Sequence, residues 1–216
     1  VYQNPIDNNG DGFTDLTLQN RLSLFNKIDF LRDDKRIFNL AARYIYEERW
    51  GGEMNWKPSN RGSDLIYAES IHTNRWETFG TYELPVAPDV KFQFSGNGHV
   101  QNSYYGVTPY KADQYIGFGQ LTWNTPVGNK HSLLLGGAYR YTYYDDNTFA
   151  TLSEDGFNNN PSIMHLPGIF IQDEINLNEW QKLLLGIRYD YNSIHGNVFS
   201  PRANYKWSSI DKNEII

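Results

Sequence analysis

Residues 16–30, LTLQNRLSLFNKIDF, decide the fold class of this 216-residue chain. Large apolar side chains occupy every second position except Asn20 and Asn26, and most of the intervening positions are polar or charged. Two residues is the side-chain period of a β-strand, whereas an amphipathic helix repeats every ~3.6 residues. The segment therefore predicts a strand with one apolar face and one polar face.

The same alternation recurs along the chain. RIFNLAARYIYEERW, residues 36–50, places Phe38, Leu40 and Tyr44 on one side and Asn39 and Arg43 on the other. Most of the segments exceed the ~5–6 residues of a globular strand and reach the ~9–11 that cross a bilayer. Seven further strands are predicted at about 64–83, 90–102, 111–124, 131–145, 165–176, 181–192 and 199–209.

In one predicted strand, the alternation does not separate an apolar face from a polar face. In 111–124, Ile116 and Phe118 oppose Tyr115, Leu121 and Trp123, so both faces carry apolar groups. The pattern predicts a strand there without predicting which face is apolar.

The connections alternate in length. LRDDK, PVAPD, TPVGN and LNEW are short, whereas the segments 51–63 and 146–163 are long, 103–110 is moderately long and 192–197 is of medium length. Tight turns at one rim and extended loops at the other are typical of transmembrane β-barrels. A soluble sandwich has no physical reason to sort its loops in this way.

Composition leaves two classes open. The formal net charge is −6, which gives no electrostatic support for a nucleic-acid partner, and the absence of cysteine excludes disulfides and thiolate metal sites. Mean hydropathy is −0.63 and no apolar run approaches a spanning helix, but a spanning strand needs only half of its residues to be apolar. A soluble all-β domain and an outer-membrane barrel both fit.

Aromatic residues make up 16% of the chain and concentrate at strand ends, whereas a sandwich core would place them mid-strand. Two belts of aromatics are typical of the interfacial girdles of a membrane barrel. Near the longer loops lie Tyr44, Tyr46, Trp50, Tyr104, Tyr105, Tyr143 and Tyr144, and near the short turns lie Phe30, Tyr82, Phe92, Trp123, Trp180, Tyr205 and Trp207. Nine strands would leave open edges in lipid, so we expect them to be part of a larger barrel.

A three-part motif points to a family. Within HLPGIFIQDEINLNEWQKLLLGIRYDYNSIHGNVFSPRANYKW, the elements are FIQDE at 170–174, GIRYD at 186–190 and SPR at 200–202. This pattern resembles the barrel of TonB-dependent outer-membrane receptors. The Tyr/Asn-rich loops, as in RYTYYDDNT, are similar to those of Bacteroidetes-type siderophore and cobalamin receptors.

The resemblance implies an all-β fold, a transmembrane antiparallel barrel of about 22 strands with a plugged lumen. Residues 1–216 would supply about nine of those strands as a barrel fragment, without the plug domain. It implies an active-transport receptor that binds and imports a scarce metal chelate, a ferric siderophore, haem or cobalamin. The energy would come from the TonB complex through the plug. The alternative from another class is a soluble, secreted, calcium-stabilised β-domain that binds glycans.

The receptor interpretation also predicts the surroundings of the chain. The protein would lie in the cell outer membrane with its long loops extracellular, in contact with membrane lipid and lipopolysaccharide. A surface lipoprotein over the loops is a further expected partner, and nucleic acid is not.

Residues 7–15, DNNGDGFTD, match a calcium-binding loop. The acidic and amide residues fall on its oxygen-ligand positions, and Gly12 permits the sharp turn. The bidentate Glu of a complete loop is replaced by Leu18, so another loop would have to supply the missing ligand, and a metal-free Asn/Gly-rich turn is the alternative. We predict a structural Ca²⁺ ion in an extracellular loop, with the ligands Asp7, Asn9, Asp11, Phe13 (through its carbonyl) and Asp15.

No catalytic constellation is present in the sequence. The five histidines are scattered, no nucleophile elbow occurs, and the glycine clusters GNGH and GFG lack a strand-to-helix context. We therefore predict that the chain is not an enzyme. Aromatic and arginine side chains suit flat or anionic ligands, and the candidates at the loops and the upper lumen are Arg49, Trp50, Trp56, Arg61, Tyr104, Tyr105, Tyr143, Tyr144 and Asn158.

Overall fold

The computed structural model describes residues 2–208 as one antiparallel sheet whose strand order follows the chain order. Short 3₁₀ turns lie at Pro58–Asn60 and Phe149–Thr151. The strands are β1 (Leu18–Asp29), β2 (Phe38–Gly52), β3 (Ala68–Glu83), β4 (Val90–Tyr105), β5 (Thr108–Val127), β6 (His131–Asp146), β7 (Ser162–Asn178), β8 (Gln181–Asn192) and β9 (Gly196–Trp207). The all-β antiparallel prediction is confirmed, and the sheet is open between β1 and β9.

Register keeps like side chains together across the whole sheet. Leu24 pairs with Tyr44, which pairs with Trp76, so apolar positions of successive strands face the same side. The ladder shifts between Asn176 and Asn178, at the turn end of β7. Because the side-chain period is two, a slip of one residue would exchange the faces of a strand.

The sheet therefore has an apolar face and a polar face. The apolar face is formed by side chains that include Leu22, Leu24, Ile28, Leu40, Tyr44, Trp76, Phe92, Leu121, Trp123, Leu135, Ile169, Ile171, Leu185, Ile187, Phe199 and Tyr205. The polar face includes Gln19, Arg21, Arg43, Glu77, Gln93, Gln120, Arg140, Gln172, Arg188 and Arg202. In β5, pairing assigns Tyr115 to the apolar face and Ile116 and Phe118 to the polar face, which sequence alone left open.

The apolar face is uncovered. Leu24 is 58% exposed, Ile169 65% and Phe199 68%, whereas the buried hydrophobic residues are few and mostly small. Monomeric soluble proteins rarely expose contiguous apolar patches of this kind. A single-layer sheet of this type requires an apolar medium against one face, which a bilayer supplies. Within residues 2–208, no helix is long and apolar enough to span a membrane.

The two longest connections, residues 53–67 and 147–161, lie at one rim, here called the upper rim. The opposite, lower rim carries the connections 30–37, 84–89, 128–130 and 179–180.

The prediction of a moderately long loop at 103–110 was wrong. Strand pairing continues to Tyr105 and Thr108, and only Gly106 and Val107 connect β4 to β5. Gly106 has φ 60, a left-handed conformation that a tight hairpin turn requires and that glycine adopts without strain. Tight turns therefore occur at both rims, and the alternation of loop lengths is weaker than the sequence suggested.

We predict that Leu24→Arg destabilises the protein by about 2–4 kcal/mol, the cost of an arginine facing the middle of a bilayer. Unfolding by urea in lipid vesicles is the measurement. The control is Ser23→Arg, because Ser23 is the neighbouring exposed residue on the polar face. Equal stability of the two variants would show that the apolar face does not contact lipid.

Candidate functional site

The loop 53–67 folds back onto the upper rim. Trp56 is only 6% exposed, and its ring lies 4.7 Å from the ring of Trp50 on β2. The backbone N–H of Tyr67 donates to the Glu53 carboxylate at 2.7 Å, which closes the base of the loop. Aromatic packing and this hydrogen bond hold the loop in a defined position.

Arg61 connects this loop to two strands. Its guanidinium donates to the Ser70 hydroxyl at 3.0 Å and to the carbonyl oxygen of Asn102 at 2.7 Å. It also lies over the Tyr104 ring, 4.6 Å from the centroid. Gly62 (φ +79) follows, and a Cβ there would lie 2.7 Å from that ring. Arg61 is therefore a packing element of the rim as well as a cation.

The segment before β1 joins the same loop. The backbone N–H of Met54 donates to the carbonyl oxygen of Gly12 at 2.9 Å, and that of Thr14 donates to the carbonyl oxygen of Gly52 at 2.8 Å. Phe13 and Glu53 form an isolated antiparallel bridge. The calcium-type loop 7–15 and the loop 53–67 are thus one connected surface.

The carboxylates of residues 7–15 accept hydrogen bonds from the backbone of their own loop. Asp7 accepts from the N–H groups of residues 10, 11 and 12, and Asp15 Oδ2 accepts twice from Asn8. Gly10 and Gly12 have φ 73 and 85, which allow the tight turn. In the part of the chain that the structure describes, no three Asp, Glu or His side chains converge as a metal site.

Some carboxylate lone pairs in residues 7–15 are not used by hydrogen bonds and could coordinate a cation. A carboxylate offers about four lone-pair sites, and Asp15 Oδ1 has no hydrogen bond among the described residues. Asp11 uses one site on each oxygen, for the Phe13 N–H and the Asn9 amide. The residues are chemically suited to calcium, which prefers oxygen ligands.

The other candidate ligand residues divide between the two faces. Arg49 lies on the polar face, 3.8 Å from Glu47, and Tyr105 shares that face at a hairpin tip. Tyr144 is also on the polar face, and its hydroxyl donates to Asp146 at 2.7 Å. Tyr143 lies on the apolar face.

Asn158 helps to hold the loop 147–161. Its side-chain amide donates to Asp155 at 3.1 Å, and its carbonyl oxygen accepts from the Ser153 backbone at 2.8 Å. Hydrogen bonds from the Ser153 hydroxyl and then from the Phe157 backbone keep the pKa of Asp155 below its ordinary value of 3.8. Asp155 is therefore ionised at neutral pH and orders this loop.

The structure thus forms two groups from the candidate residues. Trp50, Trp56, Arg61 and Tyr104 gather at the upper rim, on the side of the sheet that carries the apolar face. Arg49, Tyr105 and Tyr144 lie on the polar side. The two groups cannot contact one small ligand together within this sheet.

Of a cluster of ion pairs on the polar face, the sequence candidates included only Arg49. Glu77 is contacted by Arg43 and by Arg75, and Glu47 by Arg21 at 3.7 Å and by Arg49. Four arginines against two glutamates leave an excess of positive charge. The sequence pattern predicted that three of these arginines lie on polar strand faces. Only the pairing of neighbouring strands shows that they contact the two glutamates.

The three-part motif forms a packed unit on the polar face. The Phe170 ring covers Gly136, where a Cβ would lie 2.2 Å from the ring. Arg188 lies 5.5 Å from the centre of that ring and donates twice to Asp190 at 2.7 Å. The motif residues are therefore neighbours across strands, and their glycine partners make room for large side chains.

We predict that Arg61→Ala loosens the loop 53–67, because the loss of its charge-assisted hydrogen bonds removes on the order of 1.5–3 kcal/mol each. Amide hydrogen exchange of residues 57–63 should accelerate tenfold or more. Lys57→Ala, which removes an exposed cation of the same loop, is the control. Unchanged exchange in Arg61→Ala would contradict the anchoring role.

Comparisons with known proteins agree with this architecture. The family model described as "TonB dependent receptor-like, beta-barrel" matches residues 1–213. A comparison with curated protein sequences finds no match.

Solved receptors share the fold. The siderophore receptor PirA from Pseudomonas aeruginosa superposes with a TM-score of 0.61 at 12% identity, over 90% of this chain and 31% of that one. PirA from Acinetobacter baumannii superposes with a TM-score of 0.60 at 10% identity, over 90% of this chain and 32% of that receptor. A mutant ferric enterobactin receptor, PfeA from Pseudomonas aeruginosa, superposes with a TM-score of 0.61 at 12% identity, over 97% of this chain and 34% of that receptor. The chain spans about a third of the length of these receptors.

These findings confirm the family prediction and the prediction that the chain is not an enzyme, because the family and its structural neighbours are receptors. At such low identity the structural likeness shows the fold, and the family match shows membership. The apolar face, the single-layer sheet and the three-part motif are the features that such a barrel wall requires. The chain belongs to the TonB-dependent receptor family, whose barrels lie in the outer membrane, and forms part of the barrel domain.

Proposed function

We propose that this chain is part of the wall of an active-transport receptor that imports a scarce metal chelate across the outer membrane. The chelate is a ferric siderophore, haem or cobalamin, and TonB supplies the energy through a plug outside these 216 residues. Family membership over residues 1–213 carries the proposal, and the structural neighbours named as siderophore and ferric enterobactin receptors support it. Because the chain spans a third of those receptors, transport is a property of the whole protein.

The charge distribution supports an anionic or flat ligand. The ion-pair cluster on the polar face carries four arginines and two glutamates, and Arg49 is the cluster's arginine closest to the upper end of β2. Arginine pairs with anionic oxygens and stacks on planar groups. A chelate entering from the upper rim would meet Arg49 first and then the rest of the cluster.

The loops and the apolar face support one orientation of the chain in the membrane. We place the upper rim outside the cell, where the loops 53–67 and 147–161 capture ligand and face a surface lipoprotein. The apolar face contacts lipid, with lipopolysaccharide in the outer leaflet. Tyr46 and Tyr143 would form part of the outer aromatic girdle, because they lie on the apolar face toward the upper rim.

Uptake by the full-length receptor tests the proposal. In cells lacking their own receptors, we expect uptake of one class among labelled ferric siderophores, haem and cobalamin, and loss of that uptake without TonB. Arg49→Ala should weaken binding of the chelate about tenfold, equivalent to 1.4 kcal/mol. Lys182→Ala, near the lower rim, is the control. Uptake of none of the three classes, or uptake independent of TonB, would refute the transport proposal.

Calcium remains a second proposal, with a structural role. An ion joined to residues 7–15 would relieve the repulsion among three carboxylates and, through the Gly12–Met54 hydrogen bond, would order the loop 53–67.

Calorimetric titration of the intact protein should detect calcium binding with a dissociation constant on the order of 10⁻⁴–10⁻³ M, the range of extracellular modules. Asp11→Asn should weaken binding, whereas Asp33→Asn at the opposite rim should not. Calcium should also slow hydrogen exchange of residues 53–56, because these residues pair with the calcium-type loop. Absence of binding heat at millimolar calcium would end this proposal.

A further inference from the structure

We propose that Arg202, held across Gly186 by Gln172, forms a binding site for a single carboxylate group on the polar face. The inference rests on the barrel fold and on the three-part motif. It does not depend on which chelate is imported, so it can fail or succeed separately from the transport proposal.

Arg202 belongs to β9 but reaches over β8. Gly186 pairs in register with both Arg202 and Gln172, so the three residues form one row across the sheet. Nη2 of Arg202 donates to Oε1 of Gln172. A Cβ on residue 186 would lie 3.4 Å from Cγ and 3.5 Å from Nε of Arg202, in ordinary van der Waals contact, so the Arg202 side chain passes directly over this residue. The guanidinium is therefore directed toward β7 and away from the open sheet edge.

The charge of Arg202 is uncompensated among residues 2–208. Its neighbour Arg188 is neutralised by Asp190, with two hydrogen bonds of 2.7 Å, and Lys182 is neutralised by Glu174 at 2.7 Å. In the described part of the chain, the Arg202 side chain makes one hydrogen bond, to the neutral amide of Gln172, and no ion pair. The amide orients the guanidinium without neutralising it.

A cavity of about 390 Å³ adjoins this guanidinium. It is lined by residues of β5 to β9 that include two arginines, the hydroxyl residues Thr122 and Ser200, and no aspartate or glutamate. The lining thus offers hydrogen-bond donors and one unpaired positive charge. Hydrogen-bond donors and an unpaired positive charge are the features that bind an anion.

Charge balance favours a carboxylate over a phosphate dianion. A guanidinium presents parallel N–H groups that match the two oxygens of a carboxylate. One uncompensated cation balances one negative charge, whereas a phosphate dianion would bring a second charge without a partner. The source of the carboxylate is either an Asp or Glu of the receptor outside residues 2–208 or a soluble carboxylate inside the barrel.

Carbodiimide coupling tests the site in the full-length receptor. Arg202→Lys places a reactive amine at the site, and a carbodiimide joins it to a nearby carboxylate as an amide, the lost water converting the carbodiimide to a urea. The reaction is run in detergent with isotopically labelled acetate, followed by digestion and mass spectrometry. The Lys182–Glu174 pair, 2.7 Å apart, is an internal positive control, and Lys206 on the same face of β9 is the reference amine.

Each outcome decides the question. A link from position 202 to an Asp or Glu outside residues 2–208 supports the site and identifies a receptor source. Labelled acetyl at position 202, severalfold above that at Lys206, supports it with a soluble source. Only links to Glu174 or Asp190, or no product at position 202 while the Lys182–Glu174 link forms, would overturn the proposal.

A second measurement avoids reliance on a new amine. In Arg202→Gln, a carboxylate supplied by the receptor loses its partner and should react severalfold faster with carbodiimide and a small amine. Lys206→Gln is the matched control and should leave that rate unchanged. Folding of every variant is checked by the migration of unheated protein in gels. If no carboxylate of the receptor reacts faster, the receptor source is excluded.

Discussion

Continuous backbone hydrogen bonding between neighbouring strands is the constraint on which the rest of this structure depends. In a bilayer, an unpaired N–H or C=O group costs several kcal/mol, so strands must pair along their whole length. Eight consecutive antiparallel ladders join β1 to β9, and one register shift, at the turn end of β7, interrupts them. The register also sorts the side chains, because one residue of slippage in any strand would turn polar groups into lipid.

The sheet has one layer, so side chains are positioned mainly by their neighbours across strands. Gly136 and Gly168 lie beneath Phe170 and Asp190, and added Cβ atoms there would collide with these side chains, whereas Gly186 lies beneath Arg202 at ordinary contact distance. The motif that identifies the family is accordingly a packing unit. It holds two arginines in place, one neutralised by Asp190 and one directed into a cavity without acidic residues.

At the upper rim, aromatic and arginine side chains hold a loop against the strands. Trp50, Trp56 and Tyr104 support the loop 53–67, and Arg61 anchors it. The calcium-type loop joins the base of the same loop through two backbone hydrogen bonds. Order in one loop therefore promotes order in the other. This connection gives a physical reason why an ordered loop precedes the first strand.

The amino-acid sequence by itself determined the fold class, the nine strands and the identity of most apolar faces. These follow from the period of two, which is a property of each strand alone, as residues 16–30 illustrate. The motif in residues 170–202 also indicated the family, because its three elements are legible from residue order alone. Strand ends were predicted to within a few residues, although β3 begins at Ala68 and not near residue 64.

Only the tertiary structure decided how residues of different strands meet. It showed that Gly106 closes a tight turn where a longer loop was expected, and that Arg61 reaches from its loop to Ser70 and Asn102 on two strands. It brought Arg202 across Gly186 to Gln172, three residues from three strands. Such contacts depend on register, which is set by the whole ladder, and the pattern of a single strand does not contain it.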